Sequence, residues 1–339
     1  MAISWVWILG LMSLLGLKFN IVNIIISTLI FGLGDDYSIF TMDGLMEKYK
    51  HGTHKLTSVR AAVYVSAVTV FIGLGVLLLA KHPSLRSIAF TSVTGMLCVL
   101  FISQTLQLFL FNIFIQNRSS RRFQPFTLWS LLKSSFAFLY FVTVSLITTL
   151  IGIVLTRLWP FKKSEKAKYL YHCCISLSTK SLVYIMANVR KQVYNLPGED
   201  FNTPAVYIAN HSSFLDILFT TMLNPKLVLL TKHWVWRSPV FGALIRMGEY
   251  YPVASGTKDL APLRNLVERG YSIVVFPEGT RSYDDSIKRF HKGAFFIAEE
   301  LKLDIVPLIL HGLHYTMQKK DWLLKDGTCS VYIYPRITY

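Results

Sequence analysis

The first half of the chain is dominated by apolar runs long enough to enter a bilayer: Ile3–Leu17, Phe19–Phe40, Ala61–Ala80, Ile88–Ile115 and Phe126–Leu158. A spanning helix needs about 20 apolar residues, and in lipid each backbone N–H and C=O must be bonded within its own segment. These runs are therefore confined to helices, and a multi-pass membrane protein is expected. From Trp159 to Tyr339 the sequence returns to ordinary globular patterning. Overall 53% of residues are hydrophobic and 16% charged, which excludes disordered, collagen-like and disulfide-scaffold classes. Cys98 lies in an apolar run, Cys173 and Cys174 are adjacent and Cys329 is alone, a pattern that fits neither a disulfide framework nor zinc ligation. No metal is expected, and the globular part is expected in a reducing, cytoplasmic setting.

The formal net charge is +16, with +8 on each side of Leu158. Beside a bilayer such basicity favours anionic headgroups, at about 1 kcal/mol per Lys or Arg near the surface, and no nucleic-acid motif competes. Membrane lipids are thus expected partners and nucleic acid is not. Lys48, Lys50, Lys55 and Arg60 follow the second run and Arg118, Arg121 and Arg122 the fourth, against Lys81 and Arg86 on the other side. The excess places the first two groups on the cytoplasmic side, in a bacterial inner membrane. The start, MAISWVWILG, has neither the basic leader nor the cleavage site of a signal peptide and reads as entry partway through a bundle. Both flanks of Phe126–Leu158 are basic, with Arg121 and Arg122 before it and Arg157, Lys162 and Lys163 after it. One crossing would break the charge rule, so a re-entrant or interfacial helical pair is expected. The chain then divides into a helical bundle, 1–117, a membrane-associated connector, 118–158, and a globular domain, 159–339.

Within the second run, GLGDDYSIF puts Asp35 and Asp36 roughly 10 Å inside a helix end near Asp43. An intramembrane carboxylate costs about 2.5–3.5 kcal/mol on insertion scales, which makes such a residue a proton-relay candidate. The alternative is a shallow pair reaching headgroup water. Together with the basic loop and KLTSVRAAVYVSAVTVFIGLGVLLLAKHPSLRSIAF, this box resembles the last helices of one half of a resistance–nodulation–division exporter of the MMPL type, over about residues 1–116. The resemblance implies proton coupling by Asp36 and Tyr37, while Asp35 stands where that pattern has an apolar residue. Such exporters need two helical halves and extracytoplasmic domains, so independent transport by these 339 residues is not expected, and the missing half or further exporter subunits become candidate partners.

The globular part alternates β-branched runs, VYIA (206–209), LVLL (227–230), SIVVF (272–276), IVPLIL (305–310) and SVYIY (330–334), with helical stretches. This predicts an α/β layered domain. Ser238-Pro239 and Gly248 bracket one helix, VFGALIRM, and Gly270 closes another from Leu260 to Arg269. NHSSFLD, Asn210 to Asp216, follows the first strand directly. His211 and Asp216 can meet only if the helix starts between them, with Ser213 as N-cap and Asp216 at N3. A carboxylate on one imidazole nitrogen would leave the other free to take a proton from a hydroxyl. The alternative is a plain capping box beside a surface His. FPEGTRS, Phe276 to Ser282, also follows a strand. Gly279 permits a positive φ, and Arg281 offers a bidentate fork for phosphate. Beyond it Lys288, Arg289, His291 and Lys292 form a basic rim ahead of a helix, equally readable as a solvated charged face.

Over residues 185–312 these boxes, with Lys232 through Pro239, Gly242 and Gly248, and then Val306-Pro307, resemble the glycerolipid acyltransferase family that includes lysophosphatidic acid acyltransferase. The resemblance implies His211 as general base, Asp216 as its orienting partner, and Glu278, Gly279, Thr280 and Arg281, with Lys232, as substrate-binding residues. It also implies the fold class: an α-helical transmembrane bundle followed by an α/β acyltransferase domain. Glu249-Tyr250-Tyr251-Pro252-Val253 departs from the family's Ile-Asp-Arg-like ending, so an acceptor-binding arginine is missing and the acceptor need not be lysophosphatidic acid. The expected reaction moves an acyl group from acyl-CoA or acyl carrier protein to a hydroxyl, without a cofactor and without an acyl-enzyme, since no G-x-S-x-G elbow occurs. The rival is a lipid transporter whose cytoplasmic domain delivers or senses lipid. A third reading is a non-functional fragment of a longer fusion.

Overall fold

In the computed structural model, which describes residues 2–14, 16, 21–52, 55–158, 164–238, 241–252 and 260–339, the apolar runs are helices. Leu17, Phe19, Trp159, Lys162, Lys163, Pro239, Val240 and Val253, all used above, lie outside the described residues. The chain forms two units, Met1–Phe126 and Thr127–Tyr339.

The first unit contains α1 (Ala2–Leu14), α2 (Ile21–His51), α3 (Lys55–Gly75) with a 3-10 turn at Val76–Leu79, and α4 (Pro83–Gln104). The last continues through α5 (Leu106–Phe111), a π turn at Asn112–Gln116 and α6 (Asn117–Ser120). The expected helix end near Asp43 moves: α2 runs to His51, where Lys48, Lys50 and His51 complement the negative end of the helix dipole and Gly52 terminates it at φ +65°. Asp36 is therefore roughly 22 Å from the helix end at 1.5 Å per residue. Pro83 starts α4 behind His82, whose Nδ1 accepts the Ser84 amide. Small residues let the helices close: a Cβ on Gly34 would lie 2.7 Å from Val99, and one on Gly95 would lie 3.0 Å from Ile30. A polar link crosses three helices, with Arg60 Nε donating to Gln104 Oε1 at 2.9 Å and Gln104 Nε2 donating to the buried Thr41 hydroxyl at 2.9 Å.

The second unit opens with α7 (Leu128–Arg157), capped by the reciprocal Thr127–Ser130 box, and α8 (Glu165–Ile185). The helical pair expected within 126–158 is instead one continuous helix of 30 residues. No Gly or Pro breaks it before Gly152, and that glycine fits against the Tyr171 ring of α8. Polar residues on one face of α7, Ser134, Tyr140 and Thr148, bond to Leu324, Ser181 and Ser178, while Phe136, Phe138, Leu139, Leu146 and Leu150 remain exposed. Lys55–Leu79, Pro83–Ser120 and Leu128–Arg157 are long and apolar enough to cross a membrane.

A six-stranded sheet follows: β1 (Val189–Asn195), β2 (Val206–Ala209), β3 (Leu227–Leu229), β4 (Ser272–Val275), β5 (Ile305–His311) and β6 (Gly327–Ile333), in the order β1-β6-β5-β2-β4-β3. Strands β5, β2, β4 and β3 are parallel, with Val206 opposite both Ile273 and Ile305, and β6 runs antiparallel to β5. Every residue of β2, β3 and β4 is buried, as expected of parallel strands covered on both faces. The remaining helices are α9 (Leu215–Thr221), α10 (His233–Trp236), α11 (Gly242–Met247), α12 (Ala261–Glu268), α13 (Gly293–Leu301) and α14 (Leu313–Thr316). Tyr171, Tyr207, Phe219, Leu266 and Ile273 are the fully buried anchors of this core.

Gly270 ends α12 at φ +84°, as expected. Gly248 does not take the left-handed conformation after α11. Its φ is −82°, and Glu249 is left-handed instead at +55°. A Cβ at 248 would meet Ile175 and Tyr250 at 2.9 Å, so glycine is needed there for close packing rather than for φ.

Candidate active site

Parallel strands leave their following loops at one end of the sheet, where α/β folds gather ligands. Here β2 delivers Asn210 to Asp216 and β4 delivers Phe276 to Ser282 to that end. Asn210 clamps its loop to β5, its side chain donating to Leu310 O at 2.9 Å and accepting from Leu310 N at 2.8 Å. The helix begins at Leu215, so the chain folds back and His211 Nδ1 lies 2.9 Å from Asp216 Oδ2. That same oxygen accepts the amides of Ser212 at 2.6 Å and Ser213 at 2.8 Å. The capping and orienting roles thus coincide on one atom. The Ser213 hydroxyl does not reach the N3 amide. It donates to Met317 O and accepts from Leu215 N.

Asp216 is fully buried, and as an acceptor of two amides it meets the imidazole as an acceptor again. In the neutral imidazole this puts the proton on Nδ1 and turns the lone pair to Nε2. The ring lies on Phe276, centroids 4.3 Å apart and 21° from parallel. Imidazole rotation is therefore limited by an aromatic face on one side and a buried carboxylate on the other.

The two loops are also bonded to each other. Glu278, 4% exposed, accepts the His211 amide on Oε1 at 2.7 Å and the Lys288 amide on Oε2 at 3.1 Å, and Ser282 N donates to His211 O at 2.9 Å. Both Glu278 oxygens are therefore taken by backbone, and its carboxylate points inward. Gly279 has φ +66°, with the His291 ring 3.4 Å from where a Cβ would stand. Gly279 and Thr280 are exposed, Arg281 is half-buried, and among the described residues no acceptor holds the Arg281 guanidinium. Lys232 is exposed beyond β3 at the same end of the sheet, but no bond joins its side chain to the others among the described residues.

The end of the second box turns away from this cluster. Glu249 pairs with Lys168 at 3.0 Å and Arg269 at 2.8 Å. Burial alone would raise its carboxyl, but the two cations hold it below its ordinary value. Next to it His172, on α8, is buried between the Tyr250 and Tyr271 rings, and burial pushes it down to about 4. In the first unit Asp35 and Asp36 are exposed on α2, whereas Tyr37 is buried and hydrogen-bonded to Ser66 at 3.2 Å. The structure brings His211, Asp216, Glu278 and the 279–281 turn together, and does not bring the two α2 aspartates to a partner among the described residues. The bracing roles of Asn210, Phe276 and Ser282 were not legible, because each acts through a partner 65 to 100 residues away. Lys319 carries no motif either, yet its Nζ donates to Arg281 O at 2.9 Å.

Residues 180–311 match the Acyltransferase family model, and residues 1–130 match that of the MMPL family. A 1-acyl-sn-glycerol-3-phosphate acyltransferase of Cocos nucifera is 27% identical over 211 residues, covering 60% of this chain and 65% of that protein. A chloroplastic enzyme of the same description from Arabidopsis thaliana is 34% identical over 149 residues, covering 42% of this chain and 41% of its own. The chain thus spans less than two thirds of the length of these curated relatives. The crystal structure of the 1-acyl-sn-glycerophosphate acyltransferase PlsC from Thermotoga maritima superposes with a TM-score of 0.50 at 22% identity, over 62% of this chain and 86% of that one. The fold is an apolar helical part followed by an α/β domain of the acyltransferase type.

Proposed function

We propose that the α/β unit is an O-acyltransferase moving a fatty acyl group from a thioester donor to the hydroxyl of a lyso-phospholipid-like acceptor. The observation that carries this reading is the 2.9 Å bond between His211 Nδ1 and a fully buried Asp216 whose oxygen also holds two amides. His211 Nε2 takes the acceptor's hydroxyl proton as its oxygen attacks the thioester carbonyl carbon. The C–S bond then breaks, and the imidazolium returns the proton to the leaving thiolate. General base catalysis of this kind contributes about 10²–10⁴ in rate. Arg281 and the exposed turn at Gly279 and Thr280 are the acceptor-phosphate site, while Glu278 positions the loop that bears His211 and does not touch substrate.

The donor is acyl-CoA or acyl carrier protein, both made in the cytoplasm, so the α/β unit is placed on that side of a bacterial inner membrane. Helix α7 serves as its membrane-associated connector with the exposed apolar face in the inner leaflet. In the first unit a relay through Asp35, Asp36 and Tyr37 requires a further exporter part facing that side of α2.

Purified protein given a long-chain acyl thioester and a lyso-phospholipid should release thiol in step with new diacyl product, and His211→Ala should reduce release to background. Undiminished turnover in that variant would overturn the assignment of the base.

A further inference from the structure

Beside the 279–281 turn the chain builds a second basic site that the acid–base chemistry does not use. Tyr283, 57% exposed, is surrounded by three lysines: Lys319 Nζ lies 3.8 Å from its ring centroid, and Lys288 and Lys320 each lie 5.6 Å away. They come from separate segments, Lys288 from the loop before α13 and the other two from the segment after α14. Among the described residues none of the three forms an ion pair. Of the nearby acids, Asp284 accepts from the Ser286 amide and hydroxyl and also feels the Lys288 charge, Asp321 is buried and caps the amides of Trp322 and Leu323, and Asp285 is exposed in a left-handed turn. Lys319, then Lys320 and Lys288, hold the Tyr283 phenol below its ordinary value.

Three ammonium groups without an ion-pair partner around one aromatic ring repel each other, and an anion removes that repulsion. Lysines, as mobile point charges, suit an anion with several phosphate orientations, whereas the planar fork of Arg281 suits one phosphate held in fixed geometry. The site is also tied to the chemistry. Ser282, adjacent to Tyr283, bonds His211 O at 2.9 Å, and Lys319 bonds Arg281 O at 2.9 Å. The patch thus starts one residue beyond the backbone bond that ties the 276–282 loop to His211, on the same loop as the candidate acceptor turn.

We infer that Lys288, Lys319 and Lys320 around Tyr283 dock the phosphate-bearing carrier of the acyl donor, leaving Arg281 for the acceptor. The inference rests on the acyl-transfer reading and extends it to the donor. The shared chemistry is the phosphopantetheine phosphate, which reaches the site on coenzyme A or on acyl carrier protein.

The test compares wild type with Lys288→Gln/Lys320→Gln, which spares the Lys319 bond to Arg281 O, and with the matching double Arg variant, all as full-length protein in detergent. Titration with free coenzyme A and with holo acyl carrier protein needs no turnover, so it stays readable even if thiol release fails and the acyl-transfer reading falls. The Gln variant should bind one of the two carriers about tenfold more weakly, the Arg variant within about twofold of wild type, and the affected carrier identifies the donor. In turnover, the apparent KM should rise for that carrier's thioester and stay constant for an acyl-pantetheine lacking phosphate and for the acceptor. Unchanged binding of both carriers, or an equal KM rise with acyl-pantetheine, would overturn the inference, and an unaltered melting temperature in both variants excludes misfolding as the cause.

Discussion

Both units carry acidic residues that stand out in the sequence, Asp35 and Asp36 in one and Asp216 and Glu278 in the other, and the folded chain treats them in opposite ways. The α2 aspartates are exposed and take no bond among the described residues, while Asp216 and Glu278 are buried and accept five hydrogen bonds between them. The difference teaches where a carboxylate can work alone. Burying a charge costs several kcal/mol unless donors surround it, so a buried pair holding five such bonds has been organised by the fold. An exposed pair on one helix acquires a role only from a partner brought to it.

The sharpest way to break this comparison is to neutralise one acid in each unit. Asp216→Asn should cut acyl transfer by about 10²–10⁴, because the neutral amide no longer stabilises the imidazolium that forms as His211 takes the hydroxyl proton. Asp36→Asn should leave acyl transfer unchanged in the same assay. An equal loss in both would show that the α2 acids serve the same reaction.

Glu278→Ala sharpens the bracing role. Two amides lose their acceptor, at a cost of about 2–4 kcal/mol in denaturant unfolding of the α/β unit, with acceptor KM changing less than kcat. A selective rise in acceptor KM at unchanged stability would return Glu278 to the substrate.

A buried base extends the comparison to pH. Burial pushes His172 down to about 4 in the folded chain, whereas the unfolded chain takes up a proton below the ordinary value near 6.5. Stability is therefore fully present above about pH 6.5 and falls as the pH drops toward 4, by about 2 kcal/mol between pH 7 and pH 5. His172→Leu should flatten the melting temperature over that interval, and an unchanged slope would place the acid sensitivity elsewhere. The smallest effect is expected at Arg281→Lys, which keeps the charge but loses the fork. Acceptor KM should rise up to about tenfold with little change for the thioester, and equal shifts for both substrates would make the residue structural.

Legibility followed burial. β2, β3 and β4 were readable as buried apolar runs and β5 as an apolar run with alternate residues buried, each set off by polar or turn residues, and β6 was readable in its Ser330–Ile333 half. β1, VRKQVYN, was not readable: it is a sheet edge with only Val189 buried, so no apolar alternation marks it. The continuity of α7 was hidden because loop charge reports side of membrane and says nothing of helix breaks.

Local chemistry and spacing alone determined that the first part is helical, that the second is α/β, and that His211 and Asp216 can meet across a helix start. Those properties depend on residues within a few positions of each other. Only the tertiary structure decided that Glu278 faces the His211 amide, that Phe276 lies beneath the imidazole, that Glu249 points to α8 and α12, and that Lys288 and Lys319 share one tyrosine ring. Each of these pairings joins segments that only the sheet order places side by side, and a periodicity of two or 3.6 residues carries no information across such distances.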